Sequence, residues 1–236
     1  MKIHIVGKNP EKIQNLKERL KKFDIKYSED SPDLVISYGG DGTFLISERQ
    51  FPGIPKILVR DSDKGNNCHQ MDIEEIIEIY LKKGYKLTEI KKLKAVSESE
   101  YGMKELIGVN DVVIRNSLPT EAIRFRVKID GEEINKTFIG DGIVVSTPFG
   151  STKGAYFYSI TRKSFDKGIG IAFSNVTEHQ DYIIIPEDKE IEVKILRAPA
   201  VLVADNNRDF VNLNNGNIVK IKQIGESAKI IRIKNG

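Results

Sequence analysis

Apolar and polar positions alternate over residues 2–6, where Ile3 and Ile5 flank His4, and predict a first strand. A turn over 7–10 follows. Residues 11–22 then place Ile13, Leu16 and Leu20 on one face of an amphipathic helix. A short second strand is expected over 25–28. Ser31-Pro32-Asp33 breaks the chain before the apolar run 34–38, whose composition suits a parallel strand covered on both faces. A helix over 43–50, a strand over 56–59 and a helix over 72–83 closed by Gly84 continue the alternation. Strands alternating with helices indicate a doubly wound parallel sheet.

The pattern changes near residue 85. Segments 86–96, 101–107, 110–115, 122–129 and 133–139 are short and mostly alternating, with no helix between them. Segments 182–186, 190–196, 200–204, 209–213 and 218–224 continue it, and 228–234 reads as a last strand. Asp130-Gly131 is a hairpin turn signal. Only 152–160 has a helical period here. The predicted fold is therefore α/β: a Rossmann-like parallel-sheet domain over 1–85, then a β-rich, mostly antiparallel domain over 86–236.

The chain has 236 residues, 39% hydrophobic and 30% charged, which suits a soluble globule with room for two modest domains. No apolar run approaches the roughly 20 residues of a membrane span. The first residues are too short and strand-like for a signal peptide. Cys68, the one cysteine, excludes an internal disulfide, so a cytoplasmic location is expected. A net charge of +3 gives no support for nucleic-acid binding. Lys91, Lys92 and Lys94 read as solvated strand edges. His4, His69 and His179 are scattered, so no zinc site is expected. Cys68 and His69, as strand neighbours, point apart and do not make a catalytic dyad. The Phe and Tyr residues of 122–160 are expected in the core.

Candidate chemistry begins after the run 34–38, with Gly39-Gly40-Asp41-Gly42-Thr43. Glycines let a ligand approach the backbone, and the N–H groups of a helix start form a phosphate site. Thr43 is expected to cap a helix beginning near Phe44. A carboxylate beside such a cradle repels phosphate unless it binds a cation or accepts a proton, which singles out Asp41. The plainer alternative is an ordinary Gly-Gly/Asp-Gly turn. Asn110 offers a donor and an acceptor suited to an adenine edge, and Asp111 can accept from ribose hydroxyls; both also favour turns. Asp141 sits between Gly140 and Gly142, where its backbone can approach a ligand or simply turn. Ser151 and Thr152 are expected to face a ligand or cap a helix, and Tyr156 to stack or pack.

Taken in order, Gly39 to Thr43, Asn110-Asp111 and the run from Gly140 to Thr152 with Ala155-Tyr156 and Ser159 resemble the NAD kinase family. The resemblance implies an α/β domain followed by a β-rich domain. It also implies transfer of phosphate from ATP, with Mg²⁺, to the 2′-hydroxyl of the adenosine ribose of NAD, giving NADP. By the resemblance Asp41 is catalytic, while Gly39, Gly40, Gly42 and Thr43 bind the phosphates. Asn110, Asp111, Asp141, Ser151, Thr152 and Tyr156 bind NAD, and the assembly is a homodimer or homotetramer. Several positions depart from the family. Asp111 stands where the family has Glu, and Phe149 where it has a hydroxyl residue. Lys153-Gly154 is an insertion, 160–163 replaces a run of small residues, and the 61–69 loop is more polar. The sequence given ends at Gly236, short of the closing helix of many members. Two rival readings keep the fold: a lipid kinase sharing the glycine turn, or a protein that binds NAD or NADP without catalysis.

Overall fold

The computed structural model describes residues 1–61, 67–99, 102–134, 136–152 and 154–233. It divides into two compact units, Met1–Ile90 with Ser227–Gly236, and Lys91–Glu226. The division lies beyond the pattern change at 85. The last strand, which the sequence pattern leaves in the second domain, returns to the first unit.

In the first unit β1 (Lys2–Gly7), α1 (Pro10–Arg19), β2 (Lys26–Tyr27), β3 (Leu34–Gly39), α2 (Asp41–Gln50), β4 (Lys56–Arg60) and α3 (Ile73–Leu81) follow one another. β1 pairs in parallel with β2 and β3, and β3 with β4. The chain thus moves outward from β1 in both directions, which makes the β1/β3 boundary a topological switch point. The core is aliphatic: Ile3, Ile5, Leu34, Ile36 and Ile57 from the strands meet Leu16 and Leu20 from the first helical segment and Ile76 and Ile77 from α3. Asn9 caps α1, its side-chain oxygen accepting from the N–H groups of Glu11 (2.9 Å) and Lys12 (3.2 Å). At the end of α3, Lys83 rather than Gly84 takes the left-handed conformation, with φ +57°. Gly84 contributes an N–H to the carbonyl of Ile79 at 2.9 Å.

β5 (Tyr85–Ser99) runs from the first unit into the second. There follow β6 (Gly102–Gly108), β7 (Asp111–Asn116), β8 (Ile123–Ile129), β9 (Glu132–Glu133), β10 (Phe138–Gly140) and β11 (Gly142–Ser146). After a 3-10 turn (Phe149–Ser151) come α4 (Tyr156–Thr161), β12 (Ile169–Ser174), β13 (Ile183–Ile185), β14 (Ile191–Arg197), β15 (Ala200–Ala204), β16 (Val211–Leu213) and β17 (Ile218–Ile233). One antiparallel sheet has the order β13-β12-β11-β7-β15-β16. Antiparallel β10, β8, β14 and the first part of β17 form another layer. Phe125, Phe138, Val193 and Ile221 of that layer share one core with Ile114, Ile143, Val145 and Ile171 of the first sheet. Phe125, Phe138 and Phe157 are buried, as expected for aromatic residues of this stretch, whereas Tyr156 is half exposed. Lys92 departs from the expectation of a solvated edge, since it is buried.

The end of β17 re-enters the first unit and pairs in parallel with β4 (Ile230 with Lys56, Ile231 with Ile57). At this edge lies a fully buried ion pair. Lys56 Nζ is 2.5 Å from Glu48 Oε2 and donates to the carbonyls of Phe51 (2.6 Å) and Ile54 (2.7 Å). Glu48 Oε1 accepts from the N–H of Gly53 at 2.9 Å. This network ties the end of α2 to the start of β4. Removing one member leaves a buried charge unpaired, which costs about 3–5 kcal/mol. Glu48→Gln is therefore expected to lose several kcal/mol in urea unfolding. Replacing both residues by apolar groups (Glu48→Leu with Lys56→Met) should cost far less. Equal losses for the single and the double variant would contradict this account of the pair.

Candidate functional site

In the first unit the glycine-rich turn follows β3 directly, at the carboxyl end of the parallel sheet. α2 starts at Asp41, and Gly40 is its N-cap residue, so Thr43 does not cap the helix as expected. Thr43 lies in the first turn with its side chain buried, and its N–H donates to the Gly40 carbonyl at 2.9 Å. The reason Gly39 must be glycine is local: a Cβ there would stand 2.2 Å from Thr43 Oγ1. Asp41, as the first helical residue, is favourably placed against the helix dipole. Its Oδ1 accepts from the main-chain N–H of Asn67 at 3.2 Å, and Cys68 Sγ is 4.0 Å away. Burial, then the charge of Asp41, push the Cys68 thiol up to about 11, so it is no nucleophile near neutral pH. Of the polar 61–69 loop, residues 62–66 lie outside the described residues.

In the second unit the 109–111 loop that opens β7 is bracketed from two sides. Asp205, just after β15, accepts from three successive main-chain N–H groups: Val109 (2.8 Å), Asn110 (2.7 Å) and Asp111 (3.3 Å). From the other side Thr147 Oγ1 donates to the Val109 carbonyl at 2.7 Å, and the Thr147 N–H to the Asn110 carbonyl at 2.9 Å. The 3-10 turn packs so closely that a Cβ on Gly150 would lie 2.0 Å from the Asn110 carbonyl oxygen. With its main chain held in this way, Asn110 presents a side-chain carbonyl, Oδ1, that is buried and has no hydrogen-bond partner among the described residues. Such an acceptor costs free energy unless something supplies a donor.

Asp111 is 2% exposed. Its Oδ2 accepts only weakly from the N–H of Tyr156, at 3.4 Å. Burial, and then the Asp205 carboxylate, push the Asp111 carboxyl up from 3.8 to about 7.

The remaining candidates divide. Tyr156 is 49% exposed, and it is its main-chain N–H that faces the Asp111 carboxylate. Asp141 has both main-chain groups occupied: its N–H donates to Ser174 at 3.0 Å, and its carbonyl accepts from Asn116 at 2.9 Å. Its backbone is thus committed to the sheet, while its carboxylate accepts from Asn175 Nδ2 at 3.2 Å. Ser151 is buried and turned inward. Its Oγ donates to the Pro148 carbonyl at 2.7 Å and accepts from the Phe165 N–H at 3.0 Å, so it serves the loop and not a ligand. Thr152 is exposed, its hydroxyl on the Phe149 carbonyl at 2.9 Å. Phe149 is half-buried on the same turn, and Lys153 lies outside the described residues. Asp205, Asn67 and Thr147 are the site residues that motif reading does not single out.

The family described as the ATP-NAD kinase C-terminal domain matches residues 109–233, more than half of the chain and the whole of the bracketed loop. An NAD kinase of Sulfurisphaera tokodaii is 33% identical over 208 residues, covering 83% of this chain and 78% of that protein. The chain belongs to the NAD kinase family. NAD kinase 1 of Oceanobacillus iheyensis is 31% identical over 164 residues, 64% of this chain; the match spans 61% of that relative's length. An Archaeoglobus fulgidus NAD kinase in complex with ATP has the same fold, with a TM-score of 0.81 at 20% identity over 100% of this chain and 94% of that one.

The raised Asp111 carboxyl gives a stability prediction. Its native value lies above the unfolded one, so the native state keeps a proton that the unfolded chain releases. Stability from this group is complete below pH 3.8 and falls as pH climbs toward about 7. Asp111→Asn removes the loss. The variant is expected to exceed the parent in stability at pH 8 by about 1–3 kcal/mol and to differ little at pH 4. Urea unfolding at the two pH values checks this, and an equal difference at both would contradict it.

Proposed function

We propose that the protein is an NAD kinase that transfers the terminal phosphate of ATP to the 2′-hydroxyl of the adenosine ribose of NAD, giving NADP and ADP. The observation that carries this reading is the orphan Asn110 Oδ1, held by Asp205 and Thr147 inside the segment that matches the family. An adenine amino group supplies the missing donor. Asp111 accepts from a ribose hydroxyl, and the exposed Tyr156 ring lies against the bound dinucleotide. Gly39, Gly40 and Gly42 let the triphosphate approach the chain. Asp41 accepts the proton of the 2′-hydroxyl as its oxygen bonds to the γ-phosphorus and the bond to the β-phosphate bridging oxygen breaks. The first unit is thus the phosphate-donor half and the second the dinucleotide half. Relatives named NAD kinase and the ATP complex of the Archaeoglobus relative support the two substrates.

Mg²⁺ fits as a companion of ATP. Among the described residues no group of three or more His, Cys, Asp or Glu side chains is arranged to hold a metal ion. Magnesium is commonly held by one or two carboxylates plus substrate phosphates, and Asp41, at the glycine-rich turn, would supply an oxygen to it if it did not take the proton. The ion would neutralise phosphate charge there. A homodimer or homotetramer is in keeping with apolar residues left open on β6, Met103 at 66% and Ile107 at 45% exposure. No helix among the described residues is long and apolar enough to cross a membrane, and a cytoplasmic setting accords with the single thiol.

Two substitutions separate the roles. Asp41→Asn keeps the shape of the helix start and removes the basic oxygen, so kcat should fall by about 10²–10⁴. The KM for NAD and the melting temperature should move little. Asn110→Ala should instead raise the KM for NAD, because each lost hydrogen bond costs about 0.5–1.5 kcal/mol. A folded Asp41→Asn variant with near-normal kcat would remove Asp41 from the reaction and the phosphoryl-transfer assignment with it.

A further inference from the structure

Arg232, near the end of β17, belongs to no motif of the sequence. Its guanidinium grips one residue twice. Nη1 donates to the main-chain carbonyl of Asn67 at 2.6 Å, and Nη2 to the side-chain Oδ1 of Asn67 at 3.2 Å. The N–H of the same Asn67 donates to Asp41 Oδ1 at 3.2 Å. Arg232, Asn67 and Asp41 therefore form one hydrogen-bonded line within the first unit. A planar two-point grip fixes orientation as well as position, which a single contact does not.

The stretch that carries Asn67 is also pinned from the other side. The His69 N–H donates to the Leu58 carbonyl at 2.7 Å, and the Arg60 N–H donates to the His69 carbonyl at 2.9 Å. His69 Nε2 is 3.3 Å from both the Ile231 carbonyl and the Ile233 N–H, on either side of Arg232. β4, residues 67–69 and the end of β17 thus hold one another. The guanidinium is half-buried, and burial lowers its pKa while the nearby Cys68 and Asp41 raise it. A cation held there at a desolvation cost, with a carboxylate close by, is more than a surface contact.

We propose that Arg232 is a positioning residue for phosphoryl transfer, holding Asn67 so that its amide fixes the Asp41 carboxylate in one orientation. This inference rests on the NAD kinase reading and on Asp41 as the proton acceptor. It differs from two simpler roles. A pure clamp would serve stability alone, and a direct contact to ATP would serve donor affinity alone.

A double-mutant cycle tells these apart. Arg232→Ala, Asp41→Asn and the double variant are compared with the parent for kcat, both KM values and melting temperature. Misplacing a reacting group by an ångström can cost about 10²-fold, so Arg232→Ala should lower kcat by about 10- to 100-fold. The KM for NAD should stay near that of the parent, since no dinucleotide contact is lost. Added to Asp41→Asn, the Arg232 change should lower kcat little further, because its path through Asp41 is already gone. Guanidinium ion at millimolar concentration should partly restore kcat of Arg232→Ala, and should not do so in the double variant. Arg232→Lys, which keeps the charge but not the fork, should remain slow. Should Arg232→Ala not fold, Asn67→Ala removes one arm of the grip and should lower kcat with NAD affinity kept.

Additive losses in the cycle, an unchanged kcat per folded molecule, or a raised KM for ATP with normal kcat would each overturn the inference and leave the kinase reading standing. A parent protein that makes no NADP would overturn both.

Discussion

The start of β7 depends on one carboxylate, that of Asp205, accepting three successive main-chain N–H groups at 109–111. That interaction fixes the loop at the start of β7. With Thr147 on the neighbouring carbonyls, it leaves the Asn110 side chain as the group with an unmet hydrogen bond. Burial keeps Asp111 from ionising as readily as an exposed acid, and the same Asp205 carboxylate adds to that. One side chain therefore shapes the loop and adds to what burial already does to its neighbour. Preorganisation of this kind is what a specific ligand site requires, since the cost of ordering it is met during folding.

The glycine-rich turn of the first unit follows a parallel logic with different means. Thr43 folds back onto Gly39, where no Cβ could stand. α2 begins one residue past the N-cap glycine, with Asp41 at its first position. The carboxylate is then held by a main-chain amide that arrives from Asn67. A glycine can serve close approach of chain to chain, as Gly39 does here, or of ligand to chain. Both uses read the same in a sequence.

Local features were legible in the residues, and long-range ones were not. The parallel strands, the break at Ser31-Pro32-Asp33 and the change of texture near residue 85 follow from periodicity and turn chemistry, and the fold class with them. β12 escapes that reading because Gly168 and Gly170 look like a loop. In the structure Gly170 lies under two aromatic rings, where a Cβ would stand 2.4 Å from Phe165 and 2.7 Å from Phe157. A polar residue of the run after Gly142 misleads in the opposite direction. Ser151 looks ligand-facing, yet it is buried and its hydroxyl is spent on the Pro148 carbonyl of its own turn. Asp205 and Arg232 act across 94 or more positions of sequence. No pattern of spacing marks a residue whose partner is brought to it only by the sheet.

The central claim is that this arrangement performs phosphoryl transfer onto a bound dinucleotide. The most direct test is to incubate the purified protein with NAD, ATP and Mg²⁺ and to follow NADP with a dehydrogenase that accepts NADP alone, alongside ADP release. The account predicts NADP and ADP in equal amounts, with no NADP when NAD is omitted. Firm binding of NAD with no transfer of phosphate from ATP would contradict it.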